Sequence, residues 1–370
     1  MVINSYQVTG VQVVTLSFMS SVLLYFFAFI ASSEAVKLKA SKWFRVLLVS
    51  LVPVLMGGSR YYIGADYGSY AWGYDVLKSR SWENIFANFN FFGSSIAFEV
   101  ITKFMASIDW FWGFWAITSA LSLIPVVLYL FKDWETENAK YSVVPGAIFI
   151  YLIYFYTFGW AAIRQGIAIA FCFYSMTYIF NRRPVKFLGT VLLACLFHST
   201  AVIFLPLYFL WGEDGKVAAW KKFIAVAFCF IFIVCLGYFI SIIGGRFAGY
   251  VGEVEGRNLT FFVMLFFSMV FLFFRKRLLE LDRRNELLIL MFVMGTMLQF
   301  LGFHNAFTKR IGMYFLTAQC ILLPNLAHCF RGKNANLLWL VIVIFEMLLF
   351  IFPAVVQNSV LYIPYSFIID

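Results

Sequence analysis

The chain is made of long apolar runs, and clusters of Lys and Arg close them at one end. A helix of roughly 20 apolar residues spans the hydrocarbon core of a bilayer. In lipid every backbone N–H and C=O must be satisfied within the protein, which leaves helices or a closed barrel. The runs are continuous and do not alternate in segments of about ten residues as barrel strands do. Composition agrees, with 63% hydrophobic and only 12% charged residues, whereas soluble domains are roughly half apolar and a quarter charged. The expected fold class is an all-α polytopic membrane protein, one integral membrane domain over residues 1–370 with about ten to twelve transmembrane helices. Spans are read near 9–30, 44–57, 110–131, 142–160, 164–180, 223–243, 259–274, 287–303, 311–330 and 338–356.

Charge orients these spans, because Lys and Arg collect in cytoplasmic loops. Segments 31–45, 132–141, 181–186, 211–222, 275–286 and 331–337 hold 19 of the 28 basic residues and 9 acidic ones, so all of the +10 net charge sits there. That set reads as cytoplasmic, and the excess needs no nucleic-acid partner. "RKRLLELDRR" at 275–284 is then an orientation signal. Both termini fall outside, together with the loops 58–109, 244–258 and 304–310. The 58–109 loop is expected to carry an interfacial helix near 96–108, where Glu99 and Lys103 interrupt an apolar face.

One apolar run breaks the count. Residues 187–210 lie between "NRRPVK" and "WGEDGKVAAWKK", and both flanks read as cytoplasmic. An odd number of crossings is then forbidden. The expectation is a re-entrant helical hairpin at 187–210 with His198 near its tip, since irregular backbone at depth is tolerated against protein or a watery cavity. The plainer alternative is one full span with another loop misassigned.

Ionisable groups in or beside spans are costly and usually functional. On the outer side these are Arg60, Asp66, Glu99, Arg164, His198, His304, Lys309 and Arg310, with Arg246 and Arg257 in the 244–258 loop. Gln165 follows Arg164, and Tyr314 follows Arg310. Each has a bland reading. Arg60 and Arg310 can snorkel to headgroups. Asp66 can be a turn residue between Gly64 and Gly68. A lone His198 is more often a satisfied core histidine. Arg164 is harder to set aside, because it lies between two apolar runs. The joint pattern carries more weight, since Arg binds phosphate through a planar fork and stays charged. Tyr61, Tyr62, Tyr67 and Tyr70 suit sugar rings or the membrane interface, the commoner use. Glu346 is an acid within the last span, open between pairing with an Arg of the bundle and standing as a neutral acid.

The six Cys lie in apolar runs or at their ends without a CxxC pair, and read as small buried hydrophobes. The N-terminal "MVINSYQVTG" has no basic residue, so the first span is expected to be retained. The Asn258-Leu259-Thr260 sequon is read as chance. There is no Walker motif, HExxH, GxSxG or carboxylate pair of DxD type. If phosphates are handled, Arg must handle them, and no metal or other cofactor is required.

The chain resembles the EpsG-type branch of the Wzy-like polysaccharide polymerases. "RYYIGADYGSY" is similar to that family's Arg-Tyr-x-x-Gly-x-Asp-Tyr-x-x-Tyr motif, with Ala65 where Thr is frequent. "IRQGIAIAF" resembles its Arg-Gln segment, and "LLACLFHSTAVIFLPLY" its Phe-His stretch, with Thr200 where a further small residue is usual. "KRIGMYF" and "YIPY" resemble its late Arg-x-x-x-Tyr and its Pro-Tyr ending. The resemblance spans roughly residues 55–365 and is carried by the order of the motifs. It implies a multi-pass enzyme of the bacterial inner membrane with its site facing the periplasm. Such an enzyme polymerises oligosaccharide repeat units carried on undecaprenyl diphosphate, in O-antigen or other polysaccharide synthesis. The lipid diphosphate is the leaving group, and a Wzz-type chain-length regulator is the implied partner besides the bilayer. In that reading Arg164, Arg310 and Arg60 hold the diphosphate. His198, Asp66 or Glu99 takes the acceptor proton. Gln165, Tyr67, Tyr70, His304 and Tyr314 contact the glycan. The rival readings are a flippase or transporter of lipid-linked oligosaccharides, an O-antigen ligase, and a sugar acyltransferase. A flippase would carry charge along a path into the cytoplasmic half, whereas here the polar groups gather on one side.

Overall fold

The structure is a computed structural model and describes residues 12–87, 95–135, 142–228, 231, 259–301, 306–356 and 361–368. Six helices among them are long and apolar enough to cross a membrane, at Phe18–Lys37, Lys42–Ser59, Phe111–Asp133, Val144–Ala161, Ile163–Phe180 and Lys333–Val355. Pro184–Phe197, Ser199–Leu210, Thr260–Phe273 and Asn285–Phe300 are shorter apolar helical stretches. The all-α polytopic class is therefore as expected. The span read at 223–243 and the loop 244–258, with Arg246 and Arg257, lie mostly or wholly outside the described residues.

The chain packs as two compact units. The first comprises Met1–Ser175, Gly189–Val202 and Leu340–Asp370; the second comprises Met176–Leu188 and Ile203–Trp339.

The first unit opens with a short strand, β1 (Val13–Thr15), followed by α1 (Phe18–Glu34), which starts later than the span read from residue 9. The strand β2 (Ser366–Ile368) pairs with β1 antiparallel, Val13 opposite Ile368. Arg60, at the end of α2 (Lys42–Ser59), bridges to Phe367. The N–H of Tyr61 donates to the Ser366 carbonyl at 2.8 Å, and that of Gly64 to Leu361 at 2.9 Å. The start of α1, the end of α2 and the segment 361–368 therefore lie together in the first unit.

The expected outer loop 58–109 is largely helical. It holds α3 (Tyr67–Ser79), α4 (Trp82–Ala87) and α5 (Ile96–Ser107), the last being the helix read near 96–108. Only α5 was legible, because the Gly- and Tyr-rich sequence of α3 lacks a clear apolar period. Tertiary contacts hold it instead, and the Tyr74 hydroxyl donates to the Met105 carbonyl at 3.1 Å. Then come α6 (Phe111–Asp133) and a span made of α7 (Val144–Ile150), a π-helical turn (Tyr151–Tyr156) and α8 (Thr157–Ala161). Two tyrosines of the wide turn reach neighbouring backbones, Tyr151 to the Ser122 carbonyl and Tyr156 to that of Pro53, both at 2.6 Å. Helix α9 (Ile163–Phe180) follows after one non-helical residue, Ala162 (φ −129°, ψ 66°).

The run 187–210 has the geometry of a hairpin. Helix α10 (Pro184–Phe197) stops at His198, a 3-10 helix (Ser199–Phe204) follows, and α11 (Leu207–Leu210) returns. In the second unit the rings of Phe187 and Tyr208 lie 5.2 Å apart, and Arg182 donates to the Trp211 carbonyl at 2.8 Å. The run therefore ends beside its own beginning.

The second unit contains α12 (Leu259–Phe273), α13 (Arg275–Leu281), α14 (Asn285–Leu301), α15 (Ala306–Leu316) and α16 (Gln319–His328); α17 (Lys333–Val356) begins in it. The span expected at 311–330 is built of two helices, α15 and α16, with a short break between them. The break falls at Thr317, whose hydroxyl donates to the Tyr314 carbonyl at 2.8 Å, a local bond that competes with helix continuation. At its N-terminus α14 is pinned by Glu286, which accepts from Lys222 and Arg275, both at 2.6 Å, and from the Val217 N–H at 3.0 Å.

Candidate functional site

The site is best built from the turn between α2 and α3. Residues 60–66 double back within a few residues, and Tyr62 (φ 51°) and Gly64 (φ 99°) supply the left-handed backbone. Only glycine fits at Gly64, because a Cβ there would lie 2.4 Å from the Trp160 carbonyl oxygen. The turn delivers Asp66 to the N-cap position of α3, yet its side chain makes no capping bond to that helix. Carboxylates at N-caps ordinarily accept from the first-turn N–H groups.

A second N-cap residue behaves the same way. Ser95 precedes α5 and does not cap it. Its hydroxyl instead accepts from the Arg164 guanidinium at 3.2 Å. Arg164 is the second residue of α9, placed by the break at Ala162. Close helix approach steadies the break, since a Cβ on Gly166 would meet the Gly159 Cα at 2.6 Å. The Tyr70 hydroxyl, one turn beyond Asp66, feels the charge of Arg164 and its N–H groups. Burial holds that hydroxyl above the ordinary tyrosine range and Asp66 adds to the rise, against the pull of Arg164. Asp66, Tyr70, Ser95 and Arg164 thus form one polar group in the first unit, built from three helices. Arg164 is half-buried, and Ser95 helps to fix its direction.

The other expected residues fall in several places. Gln165 is buried, at 2% exposure. Glu99, half-buried, lies in the first turn of α5. His198 stands at the hairpin break, with its Nδ1 2.6 Å from the Thr200 hydroxyl. The adjacent Phe197 stacks on Phe171 of α9 at 5.9 Å. Phe171 is seven residues beyond Arg164, so the hairpin tip meets α9 roughly 10 Å further along its axis. Tyr67 is 1% exposed and stacked on Trp115, so its ring meets protein rather than glycan. Arg60, expected at a diphosphate, is also 1% exposed and lies among Trp115, Trp160 and the backbone of Gly57. Tyr314, 0% exposed, and half-buried Arg310 belong to the second unit, and His304 lies outside the described residues. Glu346 is buried and makes no ion pair with an Arg among the described residues; neither carboxyl oxygen has a hydrogen-bond partner there.

The model of the EpsG family matches residues 42–367. The chain belongs to the EpsG family. Among curated proteins and solved structures none matches it. The EpsG match runs from the start of α2 into β2, so it takes in the turn 60–66, α9, the hairpin and the returning C-terminal strand. Membership makes the chain a membrane protein of the polysaccharide-polymerase type. Ser95 escaped the sequence reading because a Ser before a helix looks like an ordinary cap. Its only signal was its place directly ahead of α5.

Proposed function

We propose that this EpsG-family protein is a glycosyltransferase of the bacterial inner membrane that polymerises undecaprenyl-diphosphate-linked oligosaccharide repeat units at its periplasmic face. The observation that carries this reading is Arg164, held by Ser95 and set against Tyr70, on whose hydroxyl Asp66 also bears. A guanidinium fixed at the start of a helix suits a diphosphate at headgroup depth, where the first-turn N–H groups add positive potential. In the reaction a hydroxyl oxygen of the incoming repeat unit attacks the anomeric carbon of the growing glycan. The bond from that carbon to the diphosphate oxygen breaks, and undecaprenyl diphosphate leaves with both electrons. Arg164 stabilises the charge gathering on it. Asp66 takes the proton of the attacking hydroxyl and is preferred over Glu99 and His198, because its charge bears on the Arg164–Tyr70 pair. Tyr70, which is half-buried, contacts the glycan. A Wzz-type regulator sets chain length.

The test is Arg164→Ala in a host that makes the lipid-linked unit. Single repeat units should accumulate and polymer should vanish at normal protein level. Wild-type chain lengths would sink the reading. Reconstituted protein given lipid-linked repeat units should form polymer without energy input. Transbilayer movement without polymer would point to a flippase instead.

A further inference from the structure

We infer that Arg60 is a positioning residue, which fixes the Asp66–Tyr70 edge against Arg164 and holds no phosphate itself. The inference rests on the polymerase site proposed above and assigns this motif residue a different part in it. The Arg60 side chain is 1% exposed. Its guanidinium carbon lies 4.6 Å from the Trp115 ring centroid and 5.4 Å from that of Trp160. Nη1 donates to the Gly57 carbonyl and, at 3.3 Å, to the Ser119 hydroxyl. Nε finds no acceptor among the described residues, and a lipid diphosphate could reach it only by opening the aromatic wall. Burial pulls the guanidinium below its ordinary value, while the hydroxyls of Tyr67, Tyr156, Tyr365 and Tyr25 oppose that pull. It remains a cation.

The two aromatic partners of Arg60 lead to the two halves of the site. Trp115 stacks on Tyr67 at 4.3 Å with an interplanar angle of 7°. Tyr67 is the first residue of α3, next to Asp66 and one turn before Tyr70. Trp160 stands four residues before Arg164, and its carbonyl abuts Gly64 of the turn. One buried cation therefore holds the indole that seats α3 and the indole that precedes α9. Its backbone is fixed as well, through the bridge to Phe367. Cation–π attraction strengthens when both partners are desolvated, as they are here.

The test uses the full-length protein in nanodiscs with Arg60→Met, and with Ser119→Ala as the milder variant should Arg60→Met fail to fold. Undecaprenyl diphosphate binding should stay within about twofold of wild type, and KM for the lipid-linked repeat unit likewise, while kcat falls at least about tenfold for Arg60→Met and about twofold for Ser119→Ala. Amide exchange over 61–67 and 162–166 should quicken together by about tenfold in Arg60→Met. A tenfold loss of undecaprenyl diphosphate binding in a folded variant would overturn the inference and make Arg60 a ligand. Unchanged kcat with unchanged exchange would overturn it too. If wild-type protein neither binds nor turns over the lipid diphosphate, the polymerase reading fails by itself. Arg60 is then judged on exchange alone: joint quickening of the two segments supports the positioning role, and no change removes it.

Discussion

At the scale of single residues, the site depends on side chains that decline their usual work. Ser95 and Asp66 both occupy N-caps and spend nothing on their own helices. Tyr70 and Ser95 hold Arg164 between them. Tyr70→Phe removes the hydroxyl set against Arg164, and a hydrogen bond to a charged group contributes about 1.5–3 kcal/mol. If the loss falls on the transition state, polymerisation slows by roughly ten- to a hundredfold. Kinetics on reconstituted protein, with thermal stability as the control, check this. Gly64→Ala acts differently, since it places a side chain at φ 99° against the Trp160 carbonyl. The left-handed backbone alone costs about 1–2 kcal/mol, and the contact adds to it, so the thermal midpoint in detergent should drop. Asp66 and Arg164 were legible as motif residues, because charge beside a span demands a reason. The fate of Arg60 was not, since its enclosure depends on Trp115 and Trp160, which lie far away in sequence.

At the scale of elements, breaks matter more than helices. Ala162 separates α8 from α9 and sets Arg164 at a helix start, and Gly166 against Gly159 keeps the two helices close. Gly166→Leu should part them and lower polymer yield in cells at matched protein level. Gly189→Ala, where an added Cβ meets nothing within 4 Å, should leave the yield unchanged. The hairpin at 187–210 was legible because two basic flanks forbid a single crossing. The break inside 311–330 was not, because a Thr in an apolar run does not announce that it will bond its own turn. The helix α3 was hidden for a related reason, being held by partners such as Met105 rather than by an apolar period of its own.

For the molecule as a whole, loop charge assigned both termini and the turn 60–66 to one side of the membrane. The pairing of β1 with β2, and of Arg60 with Phe367, brings residues 13–15, Arg60 and residues 366–368 together. A membrane-impermeant maleimide applied to intact spheroplasts should label Thr15→Cys and Ala65→Cys but not Lys39→Cys. Labelling of Lys39→Cys alone would invert the orientation and move the proposed chemistry to the cytoplasm. The strands themselves escaped the sequence reading, since three residues at each end carry no signal until they meet.

That meeting has a consequence for how the protein is made. The partner of β1 and of Arg60 comes after α17 in the chain, so it leaves the ribosome long after both of them. The described helices all precede that strand and can be inserted while the turn 60–66 still lacks its backbone partners. The described helices and the proposed site are therefore completed at different times, and a nascent chain cannot finish the turn 60–66 until the segment 361–368 has been made.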